Sequence, residues 1–278
     1  IELDFEADQY LVGTPALGNL DDDQELEIVF GGMSSSGKLF AINPDGTLLN
    51  NNFPIEINEK MFSGVSLGDI DLDGILDIIV TTKSGNVHVV NSSGEYIDGF
   101  PFESSRDIRS SPLVADIDSD GELEIMFGND DGIFYCLGSE GNIEFEFQTQ
   151  DSGFIRTTPS VQMNENDAHI YFGTTGGELV SINQNGDLRD GWPIQFESAI
   201  VTSPVFSDIN SDGEYEIIVV RDGIDVFLAD GSLFIDSAVD LGHIPYSFPL
   251  QSGETTTSSP MVVDIDNDND LELIYGYS

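Results

Sequence analysis

The stretch "GDIDLDGILDIIV" (68–80) sets carboxylates at alternate positions of a turn, ahead of an apolar strand. Asp69, Asp71, Asp73 and Asp77 fall at the first, third, fifth and ninth places. Calcium, a hard cation, takes about six to eight oxygen ligands, and alternate residues of a tight turn aim their side chains inward. Asp69, Asp71, Asp73, the carbonyl of Ile75 and Asp77 make such a set. The glycine at the sixth place, Gly74, permits the sharp bend that a β-carbon obstructs. An EF-hand needs a carboxylate at the twelfth place and flanking helices. That place holds Val80, inside an apolar run, so the EF-hand reading fails.

The same sentence recurs roughly every 47 residues, and internal repetition governs the fold. Asp116, Asp118, Asp120 and Glu124 form one further set, with the carbonyl of Glu122 at the seventh place. Asp208, Asn210, Asp212 and Glu216 follow with Glu214, and Asp264, Asp266, Asp268 and Glu272 with Asp270. The first copy carries an amide in the leading place: Asn19, Asp21, Asp23 and Glu27. Gly121 and Gly213 keep the sixth-place glycine, whereas Gln24 and Asn269 replace it. A worn copy, "VQMNENDAHIYF" (161–172), has Met163 in first place and lacks two residues, so no metal is expected there. Up to five structural calcium ions are expected in all. Their cages are nearly saturated, whereas a catalytic metal keeps open positions.

Charge fits this reading. The 278 residues hold 8 Lys+Arg against 52 Asp+Glu, a formal −44, and such self-repulsion opposes compaction unless cations offset it. Nucleic acid is excluded as a partner for want of clustered bases. No apolar run reaches the length of a membrane-spanning helix. The single cysteine, Cys136, excludes an internal disulfide. The opening "IELDFEA" begins inside an alternating stretch, which suggests a processed or excised piece.

Other marks travel with the acidic loop. A Ser/Thr-Pro pair precedes most copies, as in "SSP" (110–112), "TTP" (157–159) and "TSP" (202–204). Short alternating strands between glycine turns follow it, such as "GKLFAINPDG" (37–46). An aromatic-proline pair recurs at Phe53-Pro54, Phe100-Pro101, Trp192-Pro193 and Phe248-Pro249. Each unit therefore reads as four short strands, and no segment sustains a helical period. Four-stranded sheets with stacked apolar faces are the blades of an all-β propeller. The expected architecture is one β-propeller over 1–278, with repeats starting near 14, 61, 110, 157, 202 and 258. The ring is six-bladed or part of a seven-bladed one. Residues 1–7, similar to the outer-strand sequence "NIEFEFQ" (142–148), are expected as the outer strand of the last blade.

The unit "SSPLVADIDSDGELEIMFGNDDG" (110–132) resembles the FG-GAP or VCBS repeats of integrin α-subunit propellers and of secreted bacterial surface proteins. The resemblance covers nearly the whole chain. It implies a propeller with calcium between the first and second strands of a blade, and an extracellular or cell-surface setting, often in adhesion or carbohydrate recognition. It implies no single activity, because fold does not settle function.

Catalytic motifs are absent: there is no phosphate loop, nucleophile elbow or zinc signature, and His88, His169 and His243 are scattered. Arg109 and Arg156 both lie three places before the repeat proline. In neighbouring blades they should occupy equivalent sites near the central channel, on the face opposite the acidic turns. Phe62 holds the same offset one blade earlier, with Phe154 and Tyr246 in similar connections. Guanidiniums beside aromatics suit a carboxylate ligand or an acidic sugar, although each has acids at hand to pair with. The aromatic-proline pairs read as wedges between blades. The expectation is thus a secreted or surface-displayed, calcium-stabilised binding or adhesion module that takes a protein or glycan through loops on one face. It is expected to work within a larger protein or assembly, and not as an enzyme. The alternatives are a lyase-like polysaccharide-active enzyme and a purely structural spacer.

Overall fold

A computed structural model describes residues 5–21, 23–164, 167–234, 250–251, 258–268 and 271–276. Every regular element in it is a β-strand. The first four-stranded sheet runs β1 (Ala16–Gly18), β2 (Glu27–Gly31), β3 (Lys38–Ile42) and β4 (Ile55–Glu56). The second is β5 (Ser66–Gly68), β6 (Asp77–Thr81), β7 (Asn86–Val90) and β8 (Phe102–Glu103). The third is β9 (Leu113–Ala115), β10 (Glu124–Gly128), β11 (Ile133–Leu137) and β12 (Ile143–Gln148). The fourth holds β13 (Ser160–Met163), β14 (Ala168–Gly173), β15 (Glu178–Asn183) and β16 (Ile194–Gln195). The fifth holds β17 (Val205–Ser207), β18 (Glu216–Val220), β19 (Gly223–Phe227) and β20 (Leu250–Gln251). A two-stranded sheet, β21 (Met261–Val263) and β22 (Glu272–Ile274), follows. Strands pair antiparallel in chain order throughout, the meander of a propeller blade.

The chain divides into two compact units, 1–148 and 149–278. Within each, second strands are buried on both faces, which is why they read as unbroken apolar runs: β6, β10 and β18 are buried at every residue. Of residues 1–7, expected as an outer strand, 5–7 form none. Phe5 and Ala7 instead pack against Phe30, Phe40 and Ile42 of the first sheet, with the Phe5 ring edge-on to both phenylalanines. That cluster offers an apolar surface, and burying the two side chains there needs no strand pairing.

The aromatics of the three described aromatic-proline pairs sit between successive blades. Phe53 joins a core of first- and second-sheet residues that includes Val29, Leu39, Ile78 and Val80. Phe100 packs among Ile79, Val89, Ile125 and Phe127. Trp192 lies edge-on to Tyr171 and Phe227, and its Nε1 donates to the carbonyl of Ala229 at 3.2 Å. The Phe248-Pro249 pair lies outside the described residues.

The Ser/Thr-Pro motif divides its labour. The first hydroxyl clamps the end of the same blade's second strand: Ser110 Oγ donates to the Gly128 carbonyl at 2.9 Å and accepts its N–H at 3.0 Å. Thr157 does the same with Gly173, at 3.2 and 3.0 Å. The second hydroxyl reaches the preceding blade, for Ser111 Oγ accepts the Gly64 N–H at 2.8 Å and Ser203 Oγ the Thr158 N–H at 2.9 Å. Both roles satisfy backbone groups that a blade seam leaves without a ladder partner.

Candidate metal centres and the opposite blade ends

Each acidic loop is the bend between a blade's first and second strands. Its ninth residue opens the second strand, so the strand register delivers that carboxylate into the blade: Glu27 pairs with Gly18, Asp77 with Gly68 and Glu124 with Ala115. These carboxylates are among the most buried charges of the molecule, at 0 % exposure for Glu27, 2 % for Asp77, 1 % for Glu124 and 0 % for Glu216. One oxygen of each accepts the N–H of the loop's second residue: Leu20 at 2.7 Å, Ile70 at 2.9 Å, Ile117 at 2.7 Å and Ile209 at 3.0 Å. Glu272 does likewise with Ile265 at 2.8 Å. The second residue is itself an apolar anchor in the first three loops, where Leu20, Ile70 and Ile117 are buried.

The remaining side chains brace the bend and turn their other oxygens inward. Asp116 Oδ2 accepts the N–H of Gly121 at 3.1 Å, Asp118 Oδ1 that of Asp120 at 3.1 Å, and Asp120 Oδ1 that of Glu122 at 2.8 Å. The loops at Asp69 and Asp208 repeat the first of these bonds, at 3.0 Å to Gly74 and 3.0 Å to Gly213. Gly74, Gly121 and Gly213 hold φ of 91°, 94° and 92°, the left-handed region their type favours. The fourth place is left-handed too, at Leu72, Ser119, Ser211 and Asn267, a cost for β-carbon residues that glycine counting does not reveal.

Ligand atoms converge within 4.8 Å of one another in four loops: Asp21, Asp23 and Glu27; Asp69, Asp71 and Asp77; Asp116, Asp118 and Glu124; and Asp264, Asp266 and Glu272. In the loop at 208–216 the Asn210 amide takes the centre, donating to Asp212 Oδ2 at 3.0 Å and Glu216 Oε1 at 3.1 Å. Asn19 donates to the Asp23 carbonyl at 2.6 Å. Turning either amide over would present its oxygen instead. Asp270 and Asn269 lie outside the described residues.

These residues fit a divalent cation. Glu27 Oε1 and Asp69 Oδ1 are buried oxygens without a hydrogen-bond partner, and an orphaned buried acceptor is costly unless a cation meets it. Without a cation, burial disfavours the charged form of the ninth carboxyl at Glu27, Asp77, Glu124 and Glu216. Burial, helped by the charges of Asp71 and Asp73 against the pull of the Ile70 and Asp71 backbone N–H groups, raises Asp77 to about 6. Burial raises Glu124 to about 7, with Glu144, Asp118 and Asp116 adding to it. Glu27 and Glu216 are raised for the same reason. A group raised on folding stabilises the protein fully below its unfolded value and loses that contribution as the pH climbs through the folded one. The metal-free protein should therefore lose stability between about pH 5 and pH 7. Cation affinity should run the other way and weaken as the pH falls from 7.5 to 5.5, since the ion displaces that proton. Calorimetric titrations across this range check both signs.

At the worn loop Met163 pairs with Ala168, and the Asn164 N–H donates to the Asp167 carbonyl at 2.8 Å. His169, opposite Gln162, takes the strand place that the ninth acid holds elsewhere, and its Nε2 lies 2.9 Å from Asp167 Oδ2. Among the described residues this loop offers no convergent carboxylates.

At the other end of each blade run the turns between second and third strands and the connections to the next blade. Every lysine and arginine except Arg189 lies on these segments or, for Lys38, at the first residue of β3 beside them: Lys38, Lys60, Lys83, Arg106 and Arg109 in the first unit, Arg156 and Arg221 in the second. Phe62 is brought together with Arg109, whose guanidinium sits 5.4 Å from the ring centroid, and with Lys83 Nζ at 5.8 Å. Arg109 also faces Asp130 at 3.6 Å and Asp107 at 3.9 Å. In the second unit Arg156 lies 4.5 Å over Phe154. The two pairs thus belong to separate units. Tyr246 lies outside the described residues. Sequence reasoning missed Arg221, stacked 4.2 Å over Phe196 and bound to Ser198, Asp222 and Asp225. Its signal was the scarcity of bases, since each one in so acidic a chain stands out.

No helix among the described residues is long and apolar enough to cross a membrane. No curated protein matches the chain in sequence. Among solved structures, the Vibrio cholerae biofilm matrix protein Bap1 aligns with a TM-score of 0.62 at 19% identity, over 81% of this chain and 39% of that one. BBS1N, in its complex with ARL6DN, aligns at 0.61 and 13% identity over 97% and 77%. The computationally designed Ika8 protein aligns at 0.57 and 14% identity over 94% and 71%. At these identities the likeness is one of fold. The FG-GAP-like repeat family matches residues 69–127, covering the second and third acidic loops. The lambda-carrageenase beta-propeller domain family matches residues 110–278, more than half of the sequence, and the chain belongs to it.

Proposed function

We propose that this chain is an extracellular, calcium-stabilised β-propeller that binds a polyanionic polysaccharide through the blade ends opposite its acidic loops. The observation that carries the reading is the segregation of charge. In a chain of net −44, every basic side chain but Arg189 lies on one end of its blade, several over an aromatic ring. Cations above an aromatic face suit sulfate or carboxylate groups on a sugar ring, the first by charge and the second by stacking. The exposed Arg106–Asp131 pair, 3.1 Å apart, is no obstacle, for such pairs are worth about 0–1 kcal/mol and an anionic ligand can replace the acid. Membership of a carrageenase propeller family and the fold shared with a biofilm matrix protein support the ligand class and the setting. Calcium is the expected ion because the donor sets are all oxygen, grouped on flexible bends.

Binding of a sulfated galactan, followed by calorimetry at low salt, tests this reading. The double charge reversal Lys83→Glu with Arg109→Glu should weaken binding at least about tenfold, and added salt should weaken the wild type. Equal affinity for neutral and sulfated chains would contradict it.

A second reading, cleavage of the polysaccharide, draws on the family and on one arrangement in the second blade. Tyr96 hydroxyl lies 2.9 Å from His88 Nδ1, and His88 Nε2 lies 3.8 Å from Glu59 Oε1. Burial holds His88 below its ordinary pKa, which favours the neutral ring as acceptor for the hydroxyl of the half-exposed Tyr96, whose own pKa burial and then Glu59 raise. Release of reducing ends or unsaturated products, abolished in Tyr96→Phe, would favour this reading over simple binding.

A further inference from the structure

Two blades clasp their incoming connection in the same way, with one telling substitution. In the second blade, Glu59 of the β4–β5 connection accepts from Thr82 Oγ1 at 2.5 Å and from Asn86 Nδ2 at 2.8 Å. In the fourth blade the same spacing along the chain brings Asp151, Thr174 and Glu178 to these places. Thr174 Oγ1 donates to Asp151 Oδ2 at 2.6 Å, as its counterpart does. Where the second blade has the amide of Asn86, however, the fourth has the carboxyl of Glu178. That side chain is 1 % exposed. Its Oε2 accepts the N–H groups of Gln150 and Asp151, both at 2.9 Å, while its Oε1 is buried without a hydrogen-bond partner. The clasp is tight: a β-carbon on Gly176 would come within 2.2 Å of Asp151 Oδ2.

We propose that Glu178 carries a proton beside Asp151, forming a pH-sensitive latch that fastens the connection 149–157 to the fourth blade. An amide donates without help, whereas a carboxyl can stand in for it only when protonated. Two carboxylates in a buried site cannot both ionise cheaply. Asp151 comes from the connection, Thr174 and Thr175 from the β14–β15 turn, and Gln195 from β16, opposite Glu178 in the register. Gln195 Nε2 is engaged by the carbonyls of Gly176 and Phe196, at 2.9 and 2.8 Å. Arg156, the base of the connection, lies over Phe154. Burial, and then the charge of Asp151, raises the Glu178 pKa, in agreement with the geometry. The latch is therefore closed in the ordinary carboxyl range and opens as the pH rises above it.

The latched segment is anchored at further points: Gly153 N–H donates to Asp151 Oδ1 at 2.7 Å, Phe154 N–H to Thr175 Oγ1 at 2.9 Å, and Ile155 bridges Thr174. It carries Phe154 and Arg156, so opening would change how that pair is presented. This consequence rests on the ligand reading above, whereas the latch itself does not.

Hydrogen exchange of the intact chain, read on peptides spanning 149–157 and corrected for the intrinsic pH dependence, tests it at pH 5 and pH 8. Protection of this segment should fall several-fold at the higher pH while strand β14 keeps its own. Glu178→Gln supplies a permanent amide donor, and Asp151→Asn an amide partner for ionised Glu178. Either variant should make protection independent of pH, so the test survives if one of them folds poorly. A wild type without pH dependence, or variants that keep it, would overturn the proposal. Protection restored at pH 8 by calcium would also overturn it, by making the pair a cation site. Unchanged galactan binding beside a working latch would count only against the ligand reading.

Discussion

Chelation of calcium should lower the melting temperature by on the order of 15 °C. A ligand that binds only the folded state stabilises it by about 1.4 kcal/mol at ten times its dissociation constant. One ion in each acidic loop, summed over five independent loops, gives roughly 7 kcal/mol, comparable with the whole stability of many domains. For a chain of this length, about 1 kcal/mol corresponds to roughly 2–4 °C. Ions in these loops would offset buried carboxylates such as Glu27 and Glu124, which have no Lys or Arg facing them among the described residues. Chelator melts at pH 7.5, repeated with magnesium in excess, measure the effect. Magnesium should not restore it, because its smaller, more rigid octahedron suits these bends poorly.

Trp192→Ala should cost about 3–5 kcal/mol, the range for emptying a large aromatic site in a core. The indole is 6 % exposed and fills the seam between the fourth and fifth blades, against Tyr171, Leu179, Ile217 and Phe227. Truncation leaves a cavity and also strips the Ala229 carbonyl of its donor. Nothing on either strand can close the gap, because the flanking residues are fixed by their own sheet registers. Denaturant unfolding should show the midpoint falling with little change in slope. Trp192→Phe should recover most of the loss, because a ring still fills the seam.

The acidic loops were legible because their chemistry is local. Alternating oxygens, a bend and a strand start all lie within nine residues, and ligand atoms of Asp69, Asp71 and Asp77 lie within 4.8 Å of one another, with Asp73 outside that group. The four-strand meander was legible for a similar reason, since each turn carries its own glycine or aspartate signal. What escaped was the product of long-range register. The ninth acid is both a ligand candidate and the acceptor for the second residue's N–H, a bond that exists only once β1 and β2 pair. The left-handed Leu72 and Ser119 carry no sequence mark, because the surrounding bonds impose that conformation. The two hydroxyls of each Ser/Thr-Pro motif look interchangeable in sequence, yet one serves its own blade and the other its neighbour. Arg109 and Phe62 were paired by offset, and they do meet. Arg221 was passed over because its aromatic, Phe196, lies on a different connection.

Counting bound calcium tests the central claim most directly. Equilibrium dialysis with metal analysis, at pH 7.5 and calcium well above the dissociation constant, should find one ion for each intact acidic loop. Asp118→Ala should lower the count by one and leave the other sites filled. A chain that carries no stoichiometric calcium, or a count that Asp118→Ala leaves untouched, would contradict the account.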